Sequence, residues 1–521
     1  MARFSRLKSY FMITGIITNL IILGFILYGI YDFKRMGVPL PIVAQNLTTK
    51  VTTKSETLGH WLNSTFLFLN IIKDPETQRY SFPKITNAWQ WKGAQTQRIL
   101  SPLYYNQQDK PTTQYHPKKQ DYLVSNTIGE LVKVNTTSEL LNAIKNAKAG
   151  QIIELQKGIY TIKQRNIRIT KAGMPHHPII LRAQKLGDAQ IKLNSLEGFY
   201  LTVPFWVFEN LDIQGVCPSH NACEHAFHLV GNADSTIIRN NRIYDFNAMI
   251  KSGSQSTRDA KKMTFPDHVL LQYNAFFNTS RRNTAQPVTL IDHIGGDYWT
   301  FSDNLIADFV KGRGNRISYG LFFKGNSHYG IIEKNLIICN MNLPPTKQHI
   351  GIGLSLGGGG TGKAYCRNKN CDIEHTNGII RHNIIMHCPN DVAIYLNKAK
   401  NTQIYNNTII DSSGIDVRYP VSDAFIMNNI ISGKARERNG GKIVETNNIF
   451  LKRDRLWTDN TVDQIFINAK EGDFSLKNGA EIIDKGVPFE TPETDYCYNT
   501  YPEMVDIGAI EYSGKNHCML N

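Results

Sequence analysis

Glu209-Asn210-Leu211, Asn240-Asn241-Arg242-Ile243, Tyr273-Asn274-Ala275-Phe276 and Asp303-Asn304-Leu305-Ile306 are four copies of one phrase, an Asn followed by mostly apolar residues. The phrase returns as Lys334-Asn335-Leu336-Ile337, His382-Asn383-Ile384-Ile385, Asn406-Asn407-Thr408-Ile409, Asn428-Asn429-Ile430-Ile431 and Asn447-Asn448-Ile449-Phe450. Aligning one Asn of each copy gives steps of 31, 33, 30, 31, 48, 24, 22 and 19 residues. A repeat of this length marks a solenoid built from one supersecondary unit.

The unit is a coil of short strands. Equivalent residues of stacked parallel strands lie about 4.8 Å apart. Asn tolerates a left-handed corner and can hydrogen-bond its copies above and below. The β-branched runs and the scarcity of 3.6-residue periodicity argue against a helical solenoid. Upstream, Thr136-Thr137-Ser138-Glu139 reads as a capping box, and Leu140, Leu141, Ile144 and Ala147 mark one face of a helix that Gly150 ends. The expected fold is all-β: a right-handed parallel β-helix over 126–470 with a capping helix at its start and a cap segment over 471–521.

The chain has 521 residues, 58 Lys+Arg against 44 Asp+Glu and a net charge of +14. Such a surface attracts polyanions without choosing among them. Phe11–Ile30 carries no charge and is about as long as a membrane span requires. Arg3, Arg6 and Lys8 precede it, which predicts a cytoplasmic N-terminus and an external body. Residues 1–35 therefore read as a signal-anchor and transmembrane helix, and 36–125 as a linker or stalk with a short amphipathic helix at Leu58–Ile72. The expected location is a bacterial inner membrane with the body in the periplasm or outside the cell, or secretion if the segment is cleaved. The cysteines fit export. Cys217 with Cys223, Cys366 with Cys371 and Cys497 with Cys518 read as disulfides. Cys339 and Cys388 read equally as a disulfide or as small core residues on adjacent coils.

The capped helix leading into AGQIIELQKGIYT, then FENLDI and the Asn ladder, resemble the right-handed β-helices of the pectate-lyase-like superfamily. The tail DFSLKNGAEIIDKG followed by VDIGAIEY is similar to the ending of many bacterial members. The resemblance covers roughly 126–512. It implies the fold more sharply than the activity, because this fold hosts lyases, hydrolases, epimerases and adhesins.

A second register runs through AMIKSG, TLIDHI, LFFKGN, LSLGGG, IYLNKA and DVRYPV. Alternation predicts an outward row of Lys251, Asp292, Lys324, Gly357, Asn397 and Arg418, with a second row of Phe322, Ser355, Tyr395 and Asp416. The longest insertions emerge before this strand in the coils of Asp292, Lys324 and Gly357, and after it in those of Lys251 and Gly357. Loops on both sides of one row would wall a groove. The groove would hold Lys251, Lys324 and Arg418, with Arg313 and Arg316 in the loop before Lys324, Asp292 and His293 on the neighbouring strand, and Tyr298, Trp299, Tyr319 and Tyr395 to stack on sugar rings. For any one of these residues a solvated face is an equal reading. Their clustering points to an acidic polysaccharide as partner, with Asn397 and Asp416 also in contact.

β-Elimination on a uronic-acid polymer needs a neutralised carboxylate, a base for the C5 proton and departure of O4. Lys324 is the expected base, with Arg313 and Arg316 close enough to lower its pKa. Arg418 or Arg316 would meet the carboxylate. FFKGNS resembles the lysine segment of the chondroitinase-B and alginate-lyase branch. That branch's Arg one coil later has no counterpart, since LSLGGGG stands there, and its calcium-binding acids are not identifiable. Calcium is the one cofactor the resemblance suggests, and the sequence offers only a weak case for Asp292 and His293 as metal ligands. A C5-epimerase of a uronic-acid polymer and a non-catalytic glycan-binding or envelope protein are the alternatives. A hydrolase is disfavoured, because no neighbouring acidic pair lies in the row. GGGGTGK at Gly357–Lys363 nearly spells a phosphate loop, but Ala364 replaces the Ser/Thr, so no nucleotide is expected, and a body outside the cytoplasm is not expected to meet nucleic acid.

Overall fold

The computed structural model describes most of residues 130–514, the helix Glu56–Phe68 and two short strands at Leu103–Tyr105 and Tyr122–Val124. The expected membrane anchor at Phe11–Ile30 lies outside the described residues. Among those described, no helix is long and apolar enough to cross a membrane.

Short apolar strands separated by corners stack into three parallel sheets of twelve, eleven and ten strands among the described residues. One coil illustrates the path. Trp206–Glu209 lies in the first sheet, Asp212–Gly215 in the second and His225–Val230 in the third. The next coil begins at Ile237–Arg239, with Ile237 beside Val207. Inward positions form continuous rows, such as Phe208, Ile238, Leu271, Phe301 and Ile332 in the first sheet, all fully buried. Each such side chain contributes about 1.5–3 kcal/mol by leaving water.

The corner between the first and second sheets is only two residues long, and the Asn ladder stands there. Asn304 Nδ2 donates to Asn335 Oδ1 on the next coil at 3.1 Å and to Leu271 O on the previous coil at 2.9 Å. The same bonding runs unbroken from Asn241 to Asn448. Asn210 does not belong to it. Asn210 aligns with Asn240, whose Nδ2 donates to Asn210 Oδ1, while Leu211 holds the ladder position and its N–H donates to Asn241 Oδ1. The left-handed residue is also not the ladder Asn but the one before it, as at Asn240, Asp303, Lys334 and His382. The turn needs the positive φ one step before the residue that satisfies its buried amides.

The ends are closed differently. Helix Thr137–Lys145 covers the first coil, with Thr136 Oγ1 accepting from Glu139 N–H and Glu139 accepting from Asn135 N–H. Beyond Leu451 the chain turns back. Phe474, Tyr496, Ile507 and Ile510 pack on the outer face of the second sheet against Tyr244, Phe277, Ile338, Met386 and Ile410. Tyr498 reaches Asp303 and Tyr501 reaches His382, so the tail straps several coils. Four disulfides join Cys217 to Cys223, Cys339 to Cys388, Cys366 to Cys371 and Cys497 to Cys518. Cys339 and Cys388 thus form a covalent rung between adjacent coils.

Candidate active site

The outer face of the third sheet carries the charged residues. Its main row runs Tyr200, His228, Lys251, Asp292, Phe322, Ser355, Tyr395, Asp416 and Arg436, each beside the next on successive coils. The row expected from sequence is corrected here. Phe322, not Lys324, stands opposite Asp292, and Lys324 lies two residues further on opposite Ile294. A slip of two keeps Lys324 on the outward face. Lys324 therefore belongs to a shorter row that continues through Gly357, Asn397, Arg418 and Arg438.

The side chains undo the slip. Lys251 Nζ donates to Asp292 Oδ2, and Lys324 Nζ lies 3.4 Å from Asp292 Oδ1. One carboxylate is thus bracketed by two ammonium groups from the coils on either side. Burial alone would raise the Asp292 carboxyl, but Lys251 and Lys324 outweigh it and hold it well below the usual carboxylate range. Burial pushes the Lys324 ammonium down, Asp292 pushes it up, and Lys251 pushes it down again, for a net lowering. Lys324 also sits 3.7 Å from the centre of the Phe322 ring. Its side chain is 12% exposed against 21% for Lys251.

A glycine-rich loop walls the site. Gly357 has φ +77, and a β-carbon there would lie 1.8 Å from Asn397 O, so only glycine fits. The next residue runs against Lys324. Glu374, which the sequence reading did not single out, ties this loop down. Its Oε2 accepts from Gly325 N at 3.3 Å, Gly358 N at 3.5 Å and Thr361 Oγ1 at 3.2 Å. The only sequence signal for it is its place three residues after Cys371, which closes the loop through Cys366.

Further along the axis, Arg418 Nη1 donates to Tyr395 Oη at 3.0 Å, and Asn397 Nδ2 reaches the same oxygen at 3.3 Å. Arg418 is three coils from Lys324, about 14 Å at the spacing of parallel strands. Asp416 is 1% exposed and paired with Arg436 at 2.6 Å and with Arg438, so it faces arginines rather than open solvent. Tyr319 packs edge-on against Phe322 at 5.2 Å.

Other expected members lie elsewhere. His293 points into the core, 1% exposed, between Trp299 and Phe323. Burial drives its imidazole well below its usual pKa, so it stays neutral. It follows Asp292 directly, and alternation sends the two to opposite faces. Trp299 is interior too, with Nε1 donating to Pro266 O at 2.7 Å. Tyr298 stacks between His268 and Tyr329 at a corner. Arg313 and Arg316 precede strand Ile317–Lys324, so Arg316 stands at its far end, about 25 Å from Lys324. Lys324 is depressed by burial and Lys251, not by those arginines.

The family described as Chondroitinase B matches residues 134–454. No curated protein matches the chain. Among solved structures, the pectate lyase Pel9A is similar at 14% identity and TM-score 0.48, over 74% of this chain and 97% of its own. A PL6 family polysaccharide lyase from Pseudopedobacter saltans is similar at 15% identity and TM-score 0.34, over 63% and 94%. An alginate lyase from Paenibacillus sp. strain FPU-7 is similar at 12% identity and TM-score 0.34, over 62% and 95%.

Proposed function

This chain belongs to the chondroitinase B family, and on that premise we propose that it is a polysaccharide lyase that cleaves an anionic, uronic-acid polymer by β-elimination with Lys324 as the base. The observation that carries the reading is the Lys251–Asp292–Lys324 bracket. Asp292 pairs with both lysines, while burial and the neighbouring Lys251 charge outweigh Asp292 and lower the Lys324 ammonium below the usual lysine range. A base is most effective when its pKa lies near the working pH. Neutral Lys324 takes the C5 proton, the electrons form the C4–C5 double bond, and the C4–O4 bond breaks. The Lys324 ammonium then returns its proton to the departing oxygen.

Arg418, Tyr395 and Asn397 lie too far along the axis to act on the same sugar as Lys324. They serve as a binding position for another charged residue of the polymer. The Phe11–Ile30 segment is read as an anchor holding the body outside the cytoplasm, a placement supported by the four disulfides, which form in oxidising compartments.

The test is incubation of the full-length protein with a panel of uronic-acid polymers, followed by ultraviolet absorbance of the unsaturated product. Product from at least one polymer supports the lyase. A second reading, a non-catalytic glycan-binding protein, is favoured by Gly357, which stands beside Lys324 where the resembling branch carries Arg. Binding of a polymer without product from any would establish it. A change in sugar stereochemistry without cleavage would point to an epimerase.

A further inference from the structure

The reaction needs something to hold the uronate carboxylate while its neighbouring C–H bond breaks, and calcium is the cofactor the family resemblance suggests. The residues around Lys324 do not fit that ion. Calcium takes six to eight oxygen ligands, several of them carboxylates. Here both oxygens of Asp292 face ammonium groups. The Glu374 oxygen nearest the loop accepts from two backbone N–H groups and a hydroxyl. Next to Asp292 on the following coil is the Phe322 ring, and next to Lys324 is Gly357. Among the described residues, no group of three or more His, Cys, Asp or Glu side chains is placed to hold a metal.

We infer that the Lys251 ammonium takes the place of a divalent cation and meets the carboxylate of the sugar whose C5 proton Lys324 removes. This rests on the lyase reading above. Lys251 is the more open of the two lysines, and one hydrogen bond to Asp292 leaves two of its three N–H donors for substrate. Other cations of the groove are committed or remote. Arg418 is three coils away. Arg367 is held by Asp267, Asp297 and Gly295 O. The charges also change in the right order. With Lys324 neutral, Lys251 and Asp292 cancel. As the proton moves onto Lys324, the cluster gains one positive charge while negative charge grows on the sugar carboxylate. That interaction is stronger in the transition state than in the ground state, which is what accelerates a reaction.

Calcium binding, product formation and oligosaccharide binding, all measured on the full-length protein, test this. Calcium chloride titrated by calorimetry gives no saturable binding, and dialysis against a chelator leaves product formation unchanged. Lys251→Met lowers kcat/KM about 100-fold and weakens binding of a saturated uronate oligosaccharide about tenfold, and added calcium restores neither. Lys251→Arg keeps the charge and retains oligosaccharide binding, which separates lost charge from a damaged fold. Stoichiometric calcium binding that disappears in Asp292→Asn overturns the inference, as does Lys251→Met binding the oligosaccharide like the wild type. The binding arm reads out whether or not the chain is cut, so absence of cleavage on every polymer counts against the lyase alone.

Discussion

A β-carbon at Gly358 would stand 2.7 Å from Lys324 Cδ, so the glycine loop and the candidate base occupy adjoining space with no room for a methyl group between them. Gly358→Ala forces either the loop or the lysine to move. Because Glu374 and the Cys366–Cys371 disulfide hold the loop, the lysine yields. A displaced base costs rate even when the fold survives. Gly358→Ala is expected to lower kcat about 10–100-fold with little change in Tm. A variant with normal kcat would show that Lys324 does not act from the observed position.

Asp292 pushes the Lys324 ammonium up, so removing its charge pushes it further down. The neutral base then forms at lower pH. In Asp292→Asn the rising limb of the pH–rate profile is expected to move to lower pH, with a loss of about 3 kcal/mol in stability from the broken pairing. A limb that stays fixed or moves upward would separate Lys324 from the titrating group.

The ladder Asn residues hold the coils in register. Asn304 donates to Leu271 O, Ser302 O and Asn335 Oδ1, and accepts from Asn274. Asn304→Ala leaves several buried polar groups unpaired, at about 1–3 kcal/mol for each group left unsatisfied. Denaturant unfolding should show a loss of about 2–4 kcal/mol. A loss below about 0.5 kcal/mol would mean the ladder is dispensable.

The tail that straps the second sheet is expected to respond to pH through Glu511. Burial first and Asp506 next raise the Glu511 carboxyl to about 8. A raised folded-state pKa stabilises the fold fully below the unfolded value near 4.5, and that contribution is lost as pH rises through about 8. Tm is expected to fall between about pH 4.5 and about pH 8 and to level off above that, and Glu511→Gln should flatten the fall. An unchanged slope in the variant would place the titrating group elsewhere.

The fold was readable from the Asn phrases because one residue type recurs at a position with one physical duty, and the capping helix was readable from Thr136 and Glu139. The register of the third sheet was less so. Inward rows such as Phe323 beside Leu356 set it, whereas the strand endings place Lys324 level with Asp292. The strand endings are offset by two residues from the true register, in which Phe322 is the neighbour of Asp292. Arg316 looked close to Lys324 because an eight-residue strand is short in sequence and long in space. Glu374 was invisible for the opposite reason, since fifty residues separate it from Lys324 in sequence while the loop folds them together. The Cys339–Cys388 rung was open until the coils were stacked, because the sequence gives the two cysteines only comparable offsets from their ladder Asn.

The central claim is that Lys324 removes the proton. It is tested most directly by assaying wild type, Lys324→Ala and Lys324→Arg side by side on a polymer that the wild type cleaves, with binding of the same polymer measured by calorimetry. The account predicts that both variants bind nearly as the wild type does and form no unsaturated product above background. Substantial product from Lys324→Ala would contradict it.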